Sequence, residues 1–191
     1  MAGLSRQSGK RAAIEAAVLR ATEELLEEGA SFAELGIERI ATRAGISRTA
    51  FYFYFRDKRE LLVRLTEEVN AELLAAADTW WSGESDLRTA LHAIADLYSE
   101  HGALLRAVVE VATYDEEVAR FWRGLVGRFV DATRERIEAE GGDPSPAPAT
   151  AFALVWMVER SFYQQLVQGE PLPIDELVDA MATIFERTLG A

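Results

Sequence analysis

The sequence predicts an all-α chain of about nine helices. It reads as a small N-terminal unit followed by a larger helical one. Three observations predict this. All five prolines fall between Pro144 and Pro173, so nothing earlier in the chain removes a helix hydrogen bond. Apolar residues recur three and four apart along most of the chain. No stretch alternates apolar and polar residues over the length of a strand. Phe51-Tyr52-Phe53-Tyr54-Phe55 is β-prone, but it is short and has no partner segment.

The first helix is predicted over 10–28. Ile14, Val18, Ala21 and Leu25 form its apolar stripe, and Gly29 stops it. Two short helices follow over 37–44 and 47–54, joined at Gly45. Asp57 opens a long helix, with Glu60 three residues on as a capping box and Leu61, Leu65, Val69 and Leu73 on its inner face. Further helices are expected over 86–100, 103–112, 116–140, 146–168 and 174–189. The other stop signals are Gly83, Gly102, Gly141-Gly142, Gly169 and Gly190, and 141–148 reads as a loop. The division falls at the start of the long helix, giving units 1–56 and 57–191.

Composition narrows the chemistry. The chain has 191 residues and no cysteine, which excludes disulfides, thiolate metal sites and cysteine nucleophiles. Its two histidines, His92 and His101, are preceded three residues earlier by Thr89 and Tyr98, so no Glu-x-x-His metal pattern is present. There is no Gly-rich phosphate loop. No apolar run reaches the roughly 18–20 residues of a membrane span. The basic segment 1–11 lacks the apolar core of a secretory signal, so a cytoplasmic chain is expected.

The formal net charge of −12 argues against a nucleic-acid partner when taken as an average. Divided by position, residues 1–65 carry 11 basic and 9 acidic side chains, and residues 66–191 carry 9 and 23. From Arg39 to Arg64 there are seven basic and two acidic residues, a net of +5. The two units therefore call for separate readings.

The informative segment runs from Ile40 to Tyr52. Ala41 is small where two crossing helices approach. Gly45 suits a turn that needs positive φ. Ser47 is a good N-cap, and Ile46 and Phe51 flank it as a hydrophobic staple. A short helix, a Gly turn and a capped second helix make a helix-turn-helix. With Phe51 facing the core, Arg48, Thr49 and Tyr52 share one outward arc at about 100° per residue. Arg48 suits guanine O6/N7, Thr49 a base edge or thymine methyl, and the Tyr52 and Tyr54 hydroxyls suit phosphates. Lys58 opposes the dipole of the helix it opens, which is natural if that end meets a phosphate. Phe53 projects near the same arc and is expected to pack under the first helix instead.

Ile40-Ala41 through Gly45-Ile46-Ser47, then residues 51–55, then Asp57-Lys58-Arg59-Glu60-Leu61-Leu62 together resemble the TetR family of bacterial transcriptional regulators. The resemblance covers about residues 10–65. A weaker one covers residues 157–163 and 169–171. It implies an all-α homodimer, each subunit with a three-helix DNA-binding domain and a helical ligand-binding domain. It implies DNA contacts from Ser47, Arg48, Thr49, Tyr52, Tyr54 and Lys58. Arg39, Arg43 and Ala50 are candidates beside them, Ala50 standing where many relatives carry another small residue. Arg6, Lys10 and Arg11 are candidates for phosphate contacts from the N-terminal arm.

By position, Leu87, Leu91, Trp122, Val126, Phe129, Val155, Val158, Tyr163 and Phe185 fall where a member of the family lines a ligand tunnel. Val155 and Val158 replace two amides of that relative, which implies a drier cavity and an apolar small-molecule effector. The last two helices are the usual dimer-forming pair, with Leu154, Phe162, Leu166, Leu177, Met181 and Ile184 suited to core or interface. Glu159-Arg160 reads as an ion pair tying helices together. No cofactor is called for. The expected function is a repressor released from a palindromic double-stranded DNA operator by that effector. The alternatives are a dimeric DNA-binding regulator without a small-molecule ligand, and a helical-bundle enzyme.

Overall fold

The computed structural model describes the backbone of residues 2–139 and 147–189, with side chains from residue 9 onward. Arg6 and most of the expected 141–148 loop lie outside these described side chains. Among the described residues there are nine α-helices and no strand: α1 (Ala2–Glu27), α2 (Ile37–Arg43), α3 (Arg48–Phe51), α4 (Lys58–Trp81), α5 (Leu87–Glu100), α6 (Gly102–Ala112), α7 (Glu116–Ala139), α8 (Ala147–Phe162) and α9 (Ile174–Leu189). No described helix is long and apolar enough to cross a membrane.

Two elements depart from the periodicity. The helix expected over 47–54 is a single α turn. Beyond Phe51 the chain tightens, with Phe53 N–H donating to Ala50 C=O at 3.0 Å and Tyr54 N–H to Phe51 C=O at 2.9 Å. This tightening lets Phe51 and Phe55 both reach the core, their ring centroids 5.4 Å apart. The helix expected over 146–168 becomes α8 and then a π-helical turn, Tyr163–Val167, which ends at Gly169 with φ +83°. Such turns commonly mark functional regions of helices.

Capping follows local chemistry. The Asp57 carboxylate accepts the Glu60 N–H at 2.8 Å, and Asp86 accepts the Thr89 N–H at 2.8 Å. The expected capping box at Asp57 closes one residue early. Glu60 Oε2 accepts the backbone N–H of Arg56 at 2.8 Å and its Nε at 2.9 Å.

One apolar cluster runs through the molecule. It joins Val18 and Leu25 of α1, Phe51 and Phe55 on either side of the tightened turn, Leu61 and Leu65 of α4, and Val108, Trp122, Phe162 and Met181 of the larger bundle. The two units of the sequence thus share a continuous interior, with α4 crossing both. Leu154, Phe162 and Met181 are core residues. Ile184 is exposed, as is Phe152 on α8.

Candidate functional site

The α2–α3 corner is built as its residue types require. Ile40 and Ala41 are buried at the crossing. Gly45 has φ +72°, and its N–H donates to Thr42 C=O at 3.1 Å while Ile46 N–H donates to Ala41 C=O at 2.9 Å. This pair of bonds is a Schellman motif, which places the residue after the helix end in the left-handed region. Ser47 Oγ then accepts the Ala50 N–H at 3.1 Å and starts α3. With Phe51 wholly buried, Arg48, Thr49 and Tyr52 come together on one outward, shallowly concave face.

Phe53 completes that face. It is 74% exposed, beyond the 48% of Tyr52, and it does not pack under α1. Phe51 and Phe55 already fill the interior there, and the tightened turn between them carries Phe53 outward. Ala50 and Tyr54 are half-buried, and the Arg11 guanidinium lies 5.7 Å from the Tyr54 ring centroid.

The +5 of residues 39–64 does not survive as a spatial charge. Acids from elsewhere in the chain fold onto it. Arg43 holds Glu28 with two hydrogen bonds of 2.9 Å and reaches Glu24 at 3.3 Å. That guanidinium holds the Glu28 carboxyl below its usual range. Arg39 stands 3.9 Å from Glu28. Arg64 bonds Glu15 at 3.1 Å, and Arg59 bonds Asp115 at 2.7 Å and Glu117 at 2.8 Å. Arg48 has only a loose pairing, 3.9 Å from Glu38, with both side chains exposed. The guanidinium best placed on the outward face is therefore also among the least engaged.

Inside the larger bundle, α4, α5, α7, α8 and α9 enclose a cavity of about 80 Å³. Eight of the nine expected residues line it: Leu87, Leu91, Trp122, Val126, Phe129, Val155, Val158 and Phe185. Trp80, Trp81 and Ile94 add further apolar wall. The cavity is not uniformly dry. Asn70 from α4, Tyr98 from α5, Thr133 from α7 and Glu159 from α8 also line it. Burial pushes the Glu159 carboxyl above its usual range, against the pull of Arg160. Burial, with the nearby Glu159, likewise raises the Tyr98 phenol.

Residues 18–65 match the family model of bacterial regulatory proteins of the tetR family, and residues 87–190 match the C-terminal domain of the transcriptional regulator EthR. The HTH-type transcriptional regulator EthR of Mycolicibacterium smegmatis is 32% identical over 183 residues, which cover 88% of this chain and 82% of that protein. The chain belongs to the TetR family. The protein of the same description in Mycobacterium tuberculosis is 30% identical over 187 residues, covering 92% of this chain and 86% of the relative. Among solved structures, a TetR-family regulator from Syntrophomonas wolfei superimposes with a TM-score of 0.73 at 16% identity, covering 97% of each chain. One from Rhodococcus sp. gives 0.69 at 18%, covering 93% of this chain and 99% of that one. These two likenesses speak for the all-α TetR fold. As a TetR-family chain with an EthR-type C-terminal domain, this protein is a transcriptional regulator.

Within this TetR-family regulator three expected roles need correction. Lys58 is turned inward. Its Nζ donates to the carbonyls of Phe32 at 2.6 Å, Ala33 at 2.9 Å and Leu35 at 3.2 Å, and sits 4.9 Å from the Phe32 ring centroid. All three ammonium protons are used by the α1–α2 connection, so a phosphate is not needed to explain a cation at this helix start. Lys58→Met should therefore destabilise the subunit by about 2–3 kcal/mol, since it leaves three carbonyls without their charged donor. Thermal or urea unfolding at fixed protein concentration checks this, and a change below about 0.5 kcal/mol would remove Lys58 from that role.

Tyr163 does not line the cavity. It is buried, accepts a hydrogen bond from Gln168 Nε2 at 3.0 Å and stacks under Arg160 at 5.1 Å. Glu159 and Arg160 tie no helices together. They are neighbours on α8, with 3.5 Å between Arg160 Nε and Glu159 Oε2. The polar cavity residues escaped sequence reading because Asn70, Tyr98 and Thr133 occupy ordinary inner positions of their helices. Only the sequence-distant packing of four helices brings them around one space.

Proposed function

We propose that the chain is a homodimeric repressor whose two α3 turns enter successive major grooves of a roughly palindromic DNA operator, acting in the cytoplasm. A small molecule in the bundle cavity favours a dimer in which the heads no longer match the operator. The observation that carries the DNA reading is the outward face of Arg48, Thr49 and Tyr52, set on a capped turn whose opposite side, Phe51, is anchored in the core. In this reading Arg48 and Thr49 meet base edges. Ser47, Tyr52 and the half-buried Tyr54 serve the backbone, with Arg39, Arg43 and Ala50 at the rim. Half-sites are then spaced by about one helical turn or a multiple of it.

Three features support coupling between head and cavity. Residues 1–56 and 57–191 serve as head and body, and α4 belongs to both, its start under the head and its Asn70–Trp81 portion on the cavity wall. Arg59 at the start of α4 grips Asp115 and Glu117 at the start of α7, whose Trp122, Val126 and Phe129 also line the cavity. The interior that joins them is continuous, so a change in cavity shape displaces packed side chains rather than vanishing into voids. The effector acts by binding the released state more tightly. Dimerisation through α8 and α9 is supported by Phe152 and Ile184, large apolar side chains that these helices leave exposed.

Genome-wide footprinting with the purified chain tests this reading, and protection of a few inverted repeats is expected. Val126→Trp should fill the cavity, change stability by less than about 1 kcal/mol and abolish response to effector. If the space were already filled by packing, overpacking would instead cost about 1–3 kcal/mol. Unchanged operator affinity and unchanged effector response in that variant would overturn the cavity assignment.

A further inference from the structure

We propose that the cavity selects an amphipathic amine, an apolar body carrying a protonated nitrogen, with Glu159 as its counter-ion. The inference rests on the cavity being the effector site and deepens that reading. Glu159 is 5% exposed and lines the cavity, yet neither of its carboxylate oxygens accepts a hydrogen bond. A buried carboxyl without donors costs several kcal/mol if charged, so native proteins rarely leave one unpaired. Its ion-pair partner, Arg160 Nε at 3.5 Å, is beyond good hydrogen-bond distance, and the Arg160 side chain is half exposed and stacked over Tyr163. Arg160 therefore leaves both oxygens available from the cavity side.

A second group points the same way. Asn70 is 3% exposed, lines the same cavity from α4, and its Nδ2 has no partner. Its two amide ends exchange by a simple flip, so it presents a carbonyl oxygen as readily as an NH₂. Tyr98, on α5, adds a hydroxyl to the lining. An ammonium has three N–H donors and no acceptor, and a carboxylate, an amide oxygen and a phenol oxygen answer them. The remaining wall holds Trp122, Phe129 and Trp81, whose ring faces attract cations and whose area takes up an apolar body. An anion would meet Glu159 without a compensating cation on the lining. A pure hydrocarbon would leave two buried polar groups unanswered. Burial raises the Glu159 carboxyl, and an arriving ammonium reverses that by stabilising the carboxylate.

The test uses the full chain and three probes of equal size, each larger than the resting space of about 80 Å³, so that binding widens the bundle as effector-driven release requires: 4-phenylbutylamine, 4-phenylbutan-1-ol and pentylbenzene. Calorimetric titration at neutral pH should rank the amine about tenfold or more tighter than the alcohol and the hydrocarbon, the factor that about 1.4 kcal/mol of charge-assisted hydrogen bonding provides. In Glu159→Gln, which keeps the shape, the amine's advantage should disappear while pentylbenzene still binds. A thermal melt confirms that this variant is folded. Equal or better binding of the alcohol or the hydrocarbon to the native chain would overturn the amine assignment and leave the cavity as an effector site. So would an undiminished amine preference in Glu159→Gln. Failure of all three probes to bind would overturn the cavity reading and the amine together.

Discussion

A chain carrying both Arg48→Ala and Tyr52→Ala should lose specific operator binding by about 2–4 kcal/mol, roughly 30- to 1,000-fold, while melting at nearly the native temperature. The argument is one of placement. Both side chains are exposed, Tyr52 at 48%, and neither belongs to the buried cluster. Surface changes of this kind alter stability by no more than about 0.5 kcal/mol. Arg48 loses a fork of donors that, among the described residues, is shared loosely with Glu38, 3.9 Å away. Tyr52 loses a hydroxyl, while the ring of Phe51 beneath it stays in place, 5.7 Å away and edge-on. Binding to the footprinted operator, measured by fluorescence anisotropy at one stated salt concentration, gives the number, because phosphate contacts make affinity salt-dependent. A folded, dimeric double variant with native affinity would remove α3 from the groove.

Phe51→Ala should act through the opposite route and cost about 3–5 kcal/mol of stability. Phe51 is wholly buried, packs on Phe55 with ring centroids 5.4 Å apart, and is the single core residue of the one-turn α3. A helix of one turn has too few internal hydrogen bonds to hold itself, so its position depends on that anchor. The expected fall in melting temperature is roughly 6–20 °C for a chain of this size, read at fixed concentration because the proposed dimer would add to stability. Operator binding should fall with it, although no atom of the outward face is changed. A variant that melts within about 2 °C of the native chain would show that the head is held by something other than this ring.

Much of the regulator was legible along the chain. Helix stops at Gly29, Gly45, Gly83 and Gly169 are read correctly because each takes positive φ, a preference carried by the residue itself. N-caps at Ser47 and Asp57 are legible for the same reason, since a side chain two to four atoms long satisfies a backbone N–H three residues on. The outward arc of Arg48, Thr49 and Tyr52 follows from helical angle once Phe51 is assigned to the core. The outward position of Phe53 is not legible, because identical ring chemistry at 51, 53 and 55 carries no sign of which two the interior has room for.

Charge was the least legible property. The linear +5 around the α3 turn is an accurate count of residues and a poor guide to the field, because Glu15, Glu24, Glu28, Asp115 and Glu117 come from outside that stretch to meet its arginines. Coulomb interactions follow distance in space, which sequence separation does not record. Lys58 makes the same point on a smaller scale, since its partners are carbonyls 23 to 26 residues earlier in the chain.

By itself, then, the sequence determined what depends on neighbours within one turn: helices, their ends, the helix-turn-helix corner, and the family to which these belong. Tertiary structure alone decided which aromatic ring faces outward, which cations remain loosely held, and that Asn70, Tyr98 and Glu159 from three helices line one buried space. The reason is that local structure is set by backbone hydrogen bonds of short range. A cavity's chemistry is set by side chains whose meeting requires the whole core to close first.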